Sequence, residues 1–568
     1  MKHEARIAPG MEAVVPRTPE EFEASYRQST YFEFAKQEME GAKQEAESER
    51  PDEAFRHTVE TSRMGAASSK IRRKSPYQTT YWFQIGTTLR REIDLLVGNT
   101  GQLIFRYIYN AVMAVIVGSL FYQLPPNTMG AFTRGGALFF ALLFNTLMAN
   151  AEVPKSFSTR PIVYKQKAFA FYHPSTQFIA QTLVDLPLYL VQVVVFSVIL
   201  YWMVGLQAEA GKFFFFLLVL YMTCLCLTTL FRMISAVSKD VHVAHVLSGI
   251  FLMFYINLTG YLIPPKSMGG WVIWIYYINP IAYGLKALLS NEFRGMNMEC
   301  LGTSLIPYGA EKYNDINHQV CTLMGSKPAD RFVRGEDYLS VSYGFEASDM
   351  WIDFIAVVCF WVLFMLITAV VTEKLEYGKG GYSTNVFKAS KTKPVDFEAA
   401  QPNTGYEGLD AKEGGEEVSE KAAVQGTSLT WNDVDYIVPG KKKGNEIQLL
   451  HGIFGYVKPG TMTALMGASG AGKTTLLDVL AQRKNVGRME GEILMNGAPL
   501  TKILRRKTGY CEQMDIHEPY STVREALRFS AYLRQPKHVS KKEKDQFVER
   551  VIHLLEMEDI ADAMVGTL

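Results

Sequence analysis

Six apolar runs, residues 103–122, 137–153, 178–204, 213–233, 246–263 and 354–371, constrain what this chain can fold into more than any other feature. Each approaches or exceeds the ~20 residues that an α-helix needs to cross a bilayer. A single run of this kind is compatible with a buried helix of a soluble core. Six of them, separated by loops bearing Pro, Gly and charge, predict a polytopic α-helical membrane domain over residues 103–372. Whole-chain averages conceal it, because charged segments outside the block dilute the mean hydropathy to +0.02. The 58 Lys+Arg against 57 Asp+Glu leave a formal charge of +1, which argues against a nucleic-acid partner.

Basic residues orient the block. Arg90 and Arg91 precede the first run, Lys155, Arg160, Lys165 and Lys167 follow the second, and Lys239 follows the fourth, whereas loop 124–130 has no basic residue. Lys374, Lys379, Lys388, Lys391 and Lys393 crowd after the sixth, so the positive-inside rule places both termini in the cytoplasm of a multi-pass cell-membrane protein. No signal peptide is legible near Met1, so insertion is expected to begin at an internal run. Residues 271–290 are a further candidate, but the Asn279-Pro280 break, Lys286 and the aromatic residues favour a re-entrant or interfacial helix inside an external loop, 264–350. A spanning reading there would put everything after residue 371 outside the cell. Cys300 and Cys321 fall in that loop and are a candidate disulfide, with two free thiols as the alternative. The sequon Asn257-Leu258-Thr259 lies inside a run, where it is expected to stay unglycosylated.

The flanking segments read as soluble. Residues 1–74 are charged, with few large apolar residues, and read as solvated helix or tail; residues 373–427 are Gly-, Lys- and Glu-rich and read as a flexible linker. From residue 428 the pattern turns α/β: LTWNDVDYIV and IQLLHGIFGYV alternate like strands, TMTALMG reads as a short buried strand, and KTTLLDVLAQR is helical in period. Between that strand and that helix, Gly467, Ala468, Ser469, Gly470, Ala471, Gly472, Lys473 and Thr474 match the phosphate-binding loop pattern G-x-x-x-x-G-K-[ST]. Its glycines let backbone N–H groups approach phosphate closely, and the following helix aims its positive end there. Lys473 is expected to neutralise the β- and γ-phosphates, Thr474 to ligate Mg²⁺, and Thr475 to bond the α-phosphate of ATP.

Gln513 stands forty positions after Lys473, in GYCEQMDIHEPYSTVREALRFSAYLRQP. This resembles the nucleotide-binding domain of ATP-binding cassette (ABC) transporters, in which a glutamine at that place contacts Mg²⁺ and the attacking water. MGASGAGKTTLLDVLAQR, TVREALRFSAYLRQP, FTRGGALFFALLFN, INPIAYGLKALLSNEFRGMNMEC, FYHPS and PRTPEEFEASYRQS narrow the likeness. They resemble the pleiotropic drug resistance group of full-length fungal-type ABC transporters, G subfamily, arranged nucleotide domain, membrane domain, nucleotide domain, membrane domain.

The resemblance implies that 1–74 is the end of a first nucleotide domain, 75–102 an interfacial connecting helix, 103–372 a six-span membrane domain, and 428–568 the N-terminal half of a P-loop nucleotide domain. The connecting helix is expected to turn Arg90, Arg91 and Glu92 outward and Trp82, Phe83, Ile85 and Leu89 to the other side. Loop 154–175 resembles a coupling loop. The second and fifth spans are implied to line a cavity, making Phe144, Asn145, Phe254 and Asn257 candidate substrate contacts, with helix–helix hydrogen bonding as the alternative. Asp185, ionisable within a span, is expected to serve function or a structural break before Pro187; His242 and His245 are expected to be solvated.

The family's Walker B carboxylates, signature and switch His are not found, so no catalytic residue is assigned. The chain is expected to bind Mg-ATP weakly and turn over essentially none. The leading expectation is an ATP-driven exporter of drugs, toxins, secondary metabolites or lipids, with membrane lipid, a hydrophobic substrate and complementary nucleotide-binding and transmembrane halves as partners. The rivals are a non-catalytic nucleotide-binding membrane protein that pairs with a complete transporter, and an inert truncated product.

Overall fold

A computed structural model describes residues 16, 18–48, 77–307, 318–328, 330–375, 428–439, 446–468, 470–484, 487–499, 508–511 and 516–566. Ser469, Gln513 and the 376–427 part of the linker lie outside the described residues.

The chain begins with two helices, α1 (Pro19–Arg27) and α2 (Thr30–Ser48). Thr18 starts the first, its side chain accepting from the Glu21 N–H while Glu21 reaches back to the Thr18 N–H. The pair is not a free tail. The stripe Phe32, Ala35, Met39, Ala42 repeats at helical spacing, and Met39 and Ala42 are buried. Phe32 meets Phe454 edge-on at 5.4 Å, Tyr456 donates to Glu38 at 2.9 Å, and Lys43 pairs with Glu492 at 3.2 Å, so the helices lie on the distant α/β segment.

The membrane block follows: α3 (Tyr81–Gly98), α4 (Thr100–Leu120), α5 (Ala131–Ala149), α6 (Glu152–Ala168), α7 (Pro174–Val204), α8 (Ala210–Val237), α9 (Val241–Asn257), α10 (Ile273–Tyr277), α11 (Pro280–Phe293), α12 (Gly335–Ser342) and α13 (Met350–Lys374). Among the described residues, five helical stretches, 100–120, 131–168, 174–204, 210–237 and 347–374, are long and apolar enough to cross a membrane. The fifth apolar run behaves differently. Its helix, α9, has 17 residues and ends at Asn257, because Gly260 turns the chain with φ +88 against Tyr276 and Phe345. The Asn279 side-chain amide then donates to the Tyr255 and Leu258 carbonyls, at 2.8 and 3.2 Å, taking up groups left open at the helix end.

The interior of the block is apolar, with Phe196, Tyr201, Phe216 and Phe231 fully buried. Small residues let helices approach: a Cβ on Gly284 of α11 would lie 2.8 Å from the Thr223 hydroxyl of α8. Buried charges are paired. Arg232 of α8 reaches Glu152 of α6 at 2.7 Å and Asp185 of α7 at 2.5 Å, which gives Asp185 an ionic partner inside the bundle. Arg134 pairs with Glu292 at 2.7 Å and donates to the Leu124 carbonyl. Residues 271–290 form the short, exposed aromatic α10 and most of the buried α11, separated at Asn279. Beyond them β1 (Asn297–Glu299) pairs with β4 (Phe332–Arg334), β2 (Leu305–Ile306) pairs with β3 (Val320–Cys321), and a disulfide joins Cys300 to Cys321 with Cα atoms 6.0 Å apart.

The connecting helix α3 departs from expectation on one residue above all. Arg91 is buried rather than outward, and Trp82 is 80% exposed, because the polar side of α3 is covered by residues 166–177 and by a helix of the α/β segment.

That segment holds β5 (Leu429–Pro439), β6 (Glu446–Val457), α14 (Lys473–Leu480), β7 (Arg488–Met495), β8 (Ala498–Pro499), α15 (Val523–Arg534) and α16 (Lys541–Leu554). Among the described residues its strands form an antiparallel sheet in the order β6-β5-β7-β8. Trp431 pairs with Gly455, where a Cβ would stand 2.4 Å from the Trp431 ring, and with Ile493 on the other side. Val434, Leu450, Met489 and Ile493 bury against Leu476 and Val479 of α14. The expected buried strand over TMTALMG is corrected: residues 461–468 belong to no ladder among the described residues, and Met462, Leu465 and Met466 are exposed. An apolar strand of this type stays buried only when neighbours cover it on both sides.

Candidate nucleotide site and its contact with the membrane helices

The phosphate loop is shaped by its glycines. Gly470 and Gly472 both take φ +85, the left-handed region, and Gly472 caps α14, with the Leu476 N–H bonded to its carbonyl at 2.8 Å. The N–H groups of the first turn, Lys473, Thr474 and Thr475, have no intrahelical acceptor, as at every helix start, so they are available to an anion. Lys473 folds back and donates to the Gly467 carbonyl at 2.8 Å and the Ala468 carbonyl at 2.7 Å, which holds its ammonium over the loop. Thr474 is exposed and Thr475 half-buried. Among the described residues this is a donor-rich loop with one cation held over it and one exposed hydroxyl at the start of the helix. Such a donor set fits the phosphates of ATP and their Mg²⁺.

The loop is also tied to the membrane block. At the far end of α14 Asp478 accepts from the Tyr510 hydroxyl and pairs with Lys484 at 2.7 Å. The Arg483 guanidinium lies 4.2 Å from the Tyr510 ring centre and 4.6 Å from that of Phe169, which follows α6. Lys165 of α6 donates to the Ile516 carbonyl at 2.8 Å, Phe171 and Tyr172 face Phe529 of α15, and Arg91 stacks on Phe529 at 4.4 Å. A cavity of about 460 Å³ lined by Lys165, Phe171, Tyr510, His517 and Arg534 opens beside these contacts. Burial pushes the Tyr172 phenol up to about 12, against the pull of Arg91. Burial likewise raises the Glu518 carboxyl, with Arg91 opposing.

The structure therefore brings Gly467, Ala468, Gly470, Ala471, Gly472, Lys473, Thr474 and Thr475 together, while Ser469 and Gln513 lie outside the described residues. The four cavity candidates are not brought together. Phe144 is stacked on Phe196 at 5.5 Å and Asn145 is buried, donating to the Ala141 carbonyl of its own helix; Phe254 and Asn257 stand on the exposed side of α9. Arg91 was expected to face outward and is instead buried, and Arg232, Glu152 and Arg483 carry contacts that the sequence did not mark. A lone charge inside or beside an apolar run was the signal that pointed to Asp185 and would have pointed to Arg232 and Glu152 as well.

Residues 83–293 match the family described as ABC-2 type transporter, residues 306–396 the CDR ABC transporter family, and residues 450–568 the ABC transporter family. ABC multidrug transporter G of Aspergillus fumigatus is 39% identical over 566 residues, covering 99% of this chain and 40% of that protein. ABC transporter G family member 21 of Dictyostelium discoideum is 37% identical, over 99% of this chain and 38% of its own length. ABC multidrug transporter atrF of A. fumigatus is 40% identical, over 99% and 37%. The chain thus spans about two fifths of the length of these curated relatives. With a P-loop segment seated on a helical membrane block, and with all three family matches agreeing, the chain belongs to the pleiotropic drug resistance type of G-subfamily ABC transporters.

Proposed function

We propose that this chain is the membrane block and phosphate-binding part of an ATP-driven exporter of hydrophobic or amphipathic small molecules. It works at the cell membrane with both termini cytoplasmic, and with complementary nucleotide-binding and transmembrane halves. The observation that carries this reading is the contact from the P-loop helix through Arg483 and Tyr510 to Phe169: it supports a route by which nucleotide at residues 467–475 is felt at the membrane helices. Two of the relatives named above are multidrug transporters, which supports the substrate class.

In this reading Lys473 exchanges the Gly467 and Ala468 carbonyls for the β- and γ-phosphates, Thr475 bonds the α-phosphate, and Thr474 and Gln513 hold Mg²⁺. ATP supplies the free energy of phosphoryl transfer when bound; this chain's residues grip the phosphates and screen their charge. Phe254 and Asn257, on the open side of α9, are available to a substrate, whereas Phe144 packs α5 against α7 and Asn145 is buried, bonded to its own helix. Cells expressing the complete polypeptide test the proposal. They should clear a hydrophobic fluorescent dye, and Lys473→Ala should restore its retention. Equal clearance by the two proteins overturns it.

A further inference from the structure

Five parts of the molecule converge on one side chain. Arg91 leaves α3 and is buried where the end of α6, the start of α7, α15 and the segment 516–521 meet. Its Nη1 donates to Gln166 Oε1 at 2.8 Å, and the same oxygen accepts from the Tyr172 hydroxyl at 2.6 Å. Its Nη2 donates to Gln177 Oε1 at 2.6 Å and to Glu92 Oε1 at 3.4 Å, and Gln177 Nε2 closes the ring by donating to the same Glu92 oxygen at 2.5 Å. All these hydrogen bonds are made within the membrane block. They fix the plane of the guanidinium, and the face so presented lies 4.4 Å from the ring centre of Phe529 on α15, with Tyr172 at 5.7 Å.

We infer that Arg91 is a positioning residue for coupling: a guanidinium oriented by the membrane block serves as the fastener that makes α15 and residues 165–177 move as one. The geometry asks for arginine specifically. A planar fork can feed two amide oxygens at its edge while stacking its face on a ring; an ammonium is a point charge and cannot do both. Its exposed neighbour Arg90 makes no such set of contacts and is the natural control.

The fastener itself is read without nucleotide, and only its role in coupling rests on the transporter reading. Hydrogen exchange of residues 165–177 and 523–534 is followed in the 568-residue chain in nanodiscs. Arg91→Gln should speed exchange in both segments by about tenfold or more, the worth of a desolvated cation–π stack with charge-assisted hydrogen bonds. Arg91→Lys should not restore protection, and Arg90→Gln should change nothing. If Arg91→Gln does not reconstitute, Phe529→Leu removes the ring and leaves the bonds of Arg91 in place; it should loosen 523–534 alone.

A second arm adds Mg-ATP. In the wild type it should alter exchange at 165–177. Arg91→Lys should bind a fluorescent ATP analogue within about twofold of wild type, because the loop is untouched, yet lose most of that response. Protection at 523–534 unchanged in Arg91→Gln or in Phe529→Leu, or full rescue by lysine, overturns the inference. Failure of the wild type to bind Mg-ATP overturns the proposed function instead, and the nucleotide-free arm still decides the fastener.

Discussion

Gly98 ends α3 where the connecting helix touches the segment after Gln513: a Cβ there would stand 2.6 Å from the Tyr520 carbonyl oxygen. The contact is with backbone, which cannot rotate aside, so Gly98→Ala must push the two segments apart. Overpacking of this kind costs about 1–3 kcal/mol. The expected result is faster hydrogen exchange across residues 516–534 with α8 unaffected; unchanged exchange would show that the approach is slack. The glycine-rich loop from Gly467 to Thr475 was legible in the sequence as a motif because its residues stand side by side. Gly98 and Arg91 were not, since their partners sit on other elements and nothing within a local window marks the meeting.

Helices and strands show the same division. Apolar runs located most of the spans, because burial in lipid is a property of each run by itself. Where an element depends on a neighbour, the reading slipped: TMTALMG has the composition of a buried strand but no ladder partner among the described residues, and the fifth run ends early because Asn279 and Gly260 terminate it. Arg232 was absorbed by the hydropathy of its run, although it holds Glu152 and Asp185 and so ties α8 to α6 and α7. Its removal makes a sharp prediction. Arg232→Met strands two buried carboxylates and should lower stability by about 3–5 kcal/mol, whereas the triple change Arg232→Met, Glu152→Gln, Asp185→Asn should cost clearly less, since no charge is left uncompensated. Thermal unfolding in detergent compares the two, and equal losses would mean that the ion cluster contributes only shape.

At the scale of the molecule, the succession of an apolar helical block and a P-loop segment was legible from hydropathy and motif, but not that α1 and α2 lie on the segment that holds the loop. The α1–α2 pair lies on β6, with Phe32 against Phe454 and with Met39 and Ala42 buried, so a sheet whose strands flank the P-loop on both sides in sequence is covered by residues some four hundred positions before β6. Met39→Asp, which puts a charge into that buried contact, should destabilise the sheet by about 3 kcal/mol or more. Lys43→Ala, which breaks a partly exposed pair with Glu492, should cost under about 1 kcal/mol. Proteolysis of residues 428–499 reads both, and equal sensitivity would locate the bond between the two ends elsewhere.

The short helix α9 reaches beyond the protein. Seventeen residues rise about 26 Å, against roughly 30 Å of hydrocarbon in an ordinary bilayer. A helix that short meets an ordinary bilayer only where the lipid thins, whereas the 31 residues of α7 exceed the hydrocarbon and call for tilt. A thicker bilayer is therefore expected to be a poorer solvent for this protein, which unfolding in vesicles of increasing acyl-chain length would read.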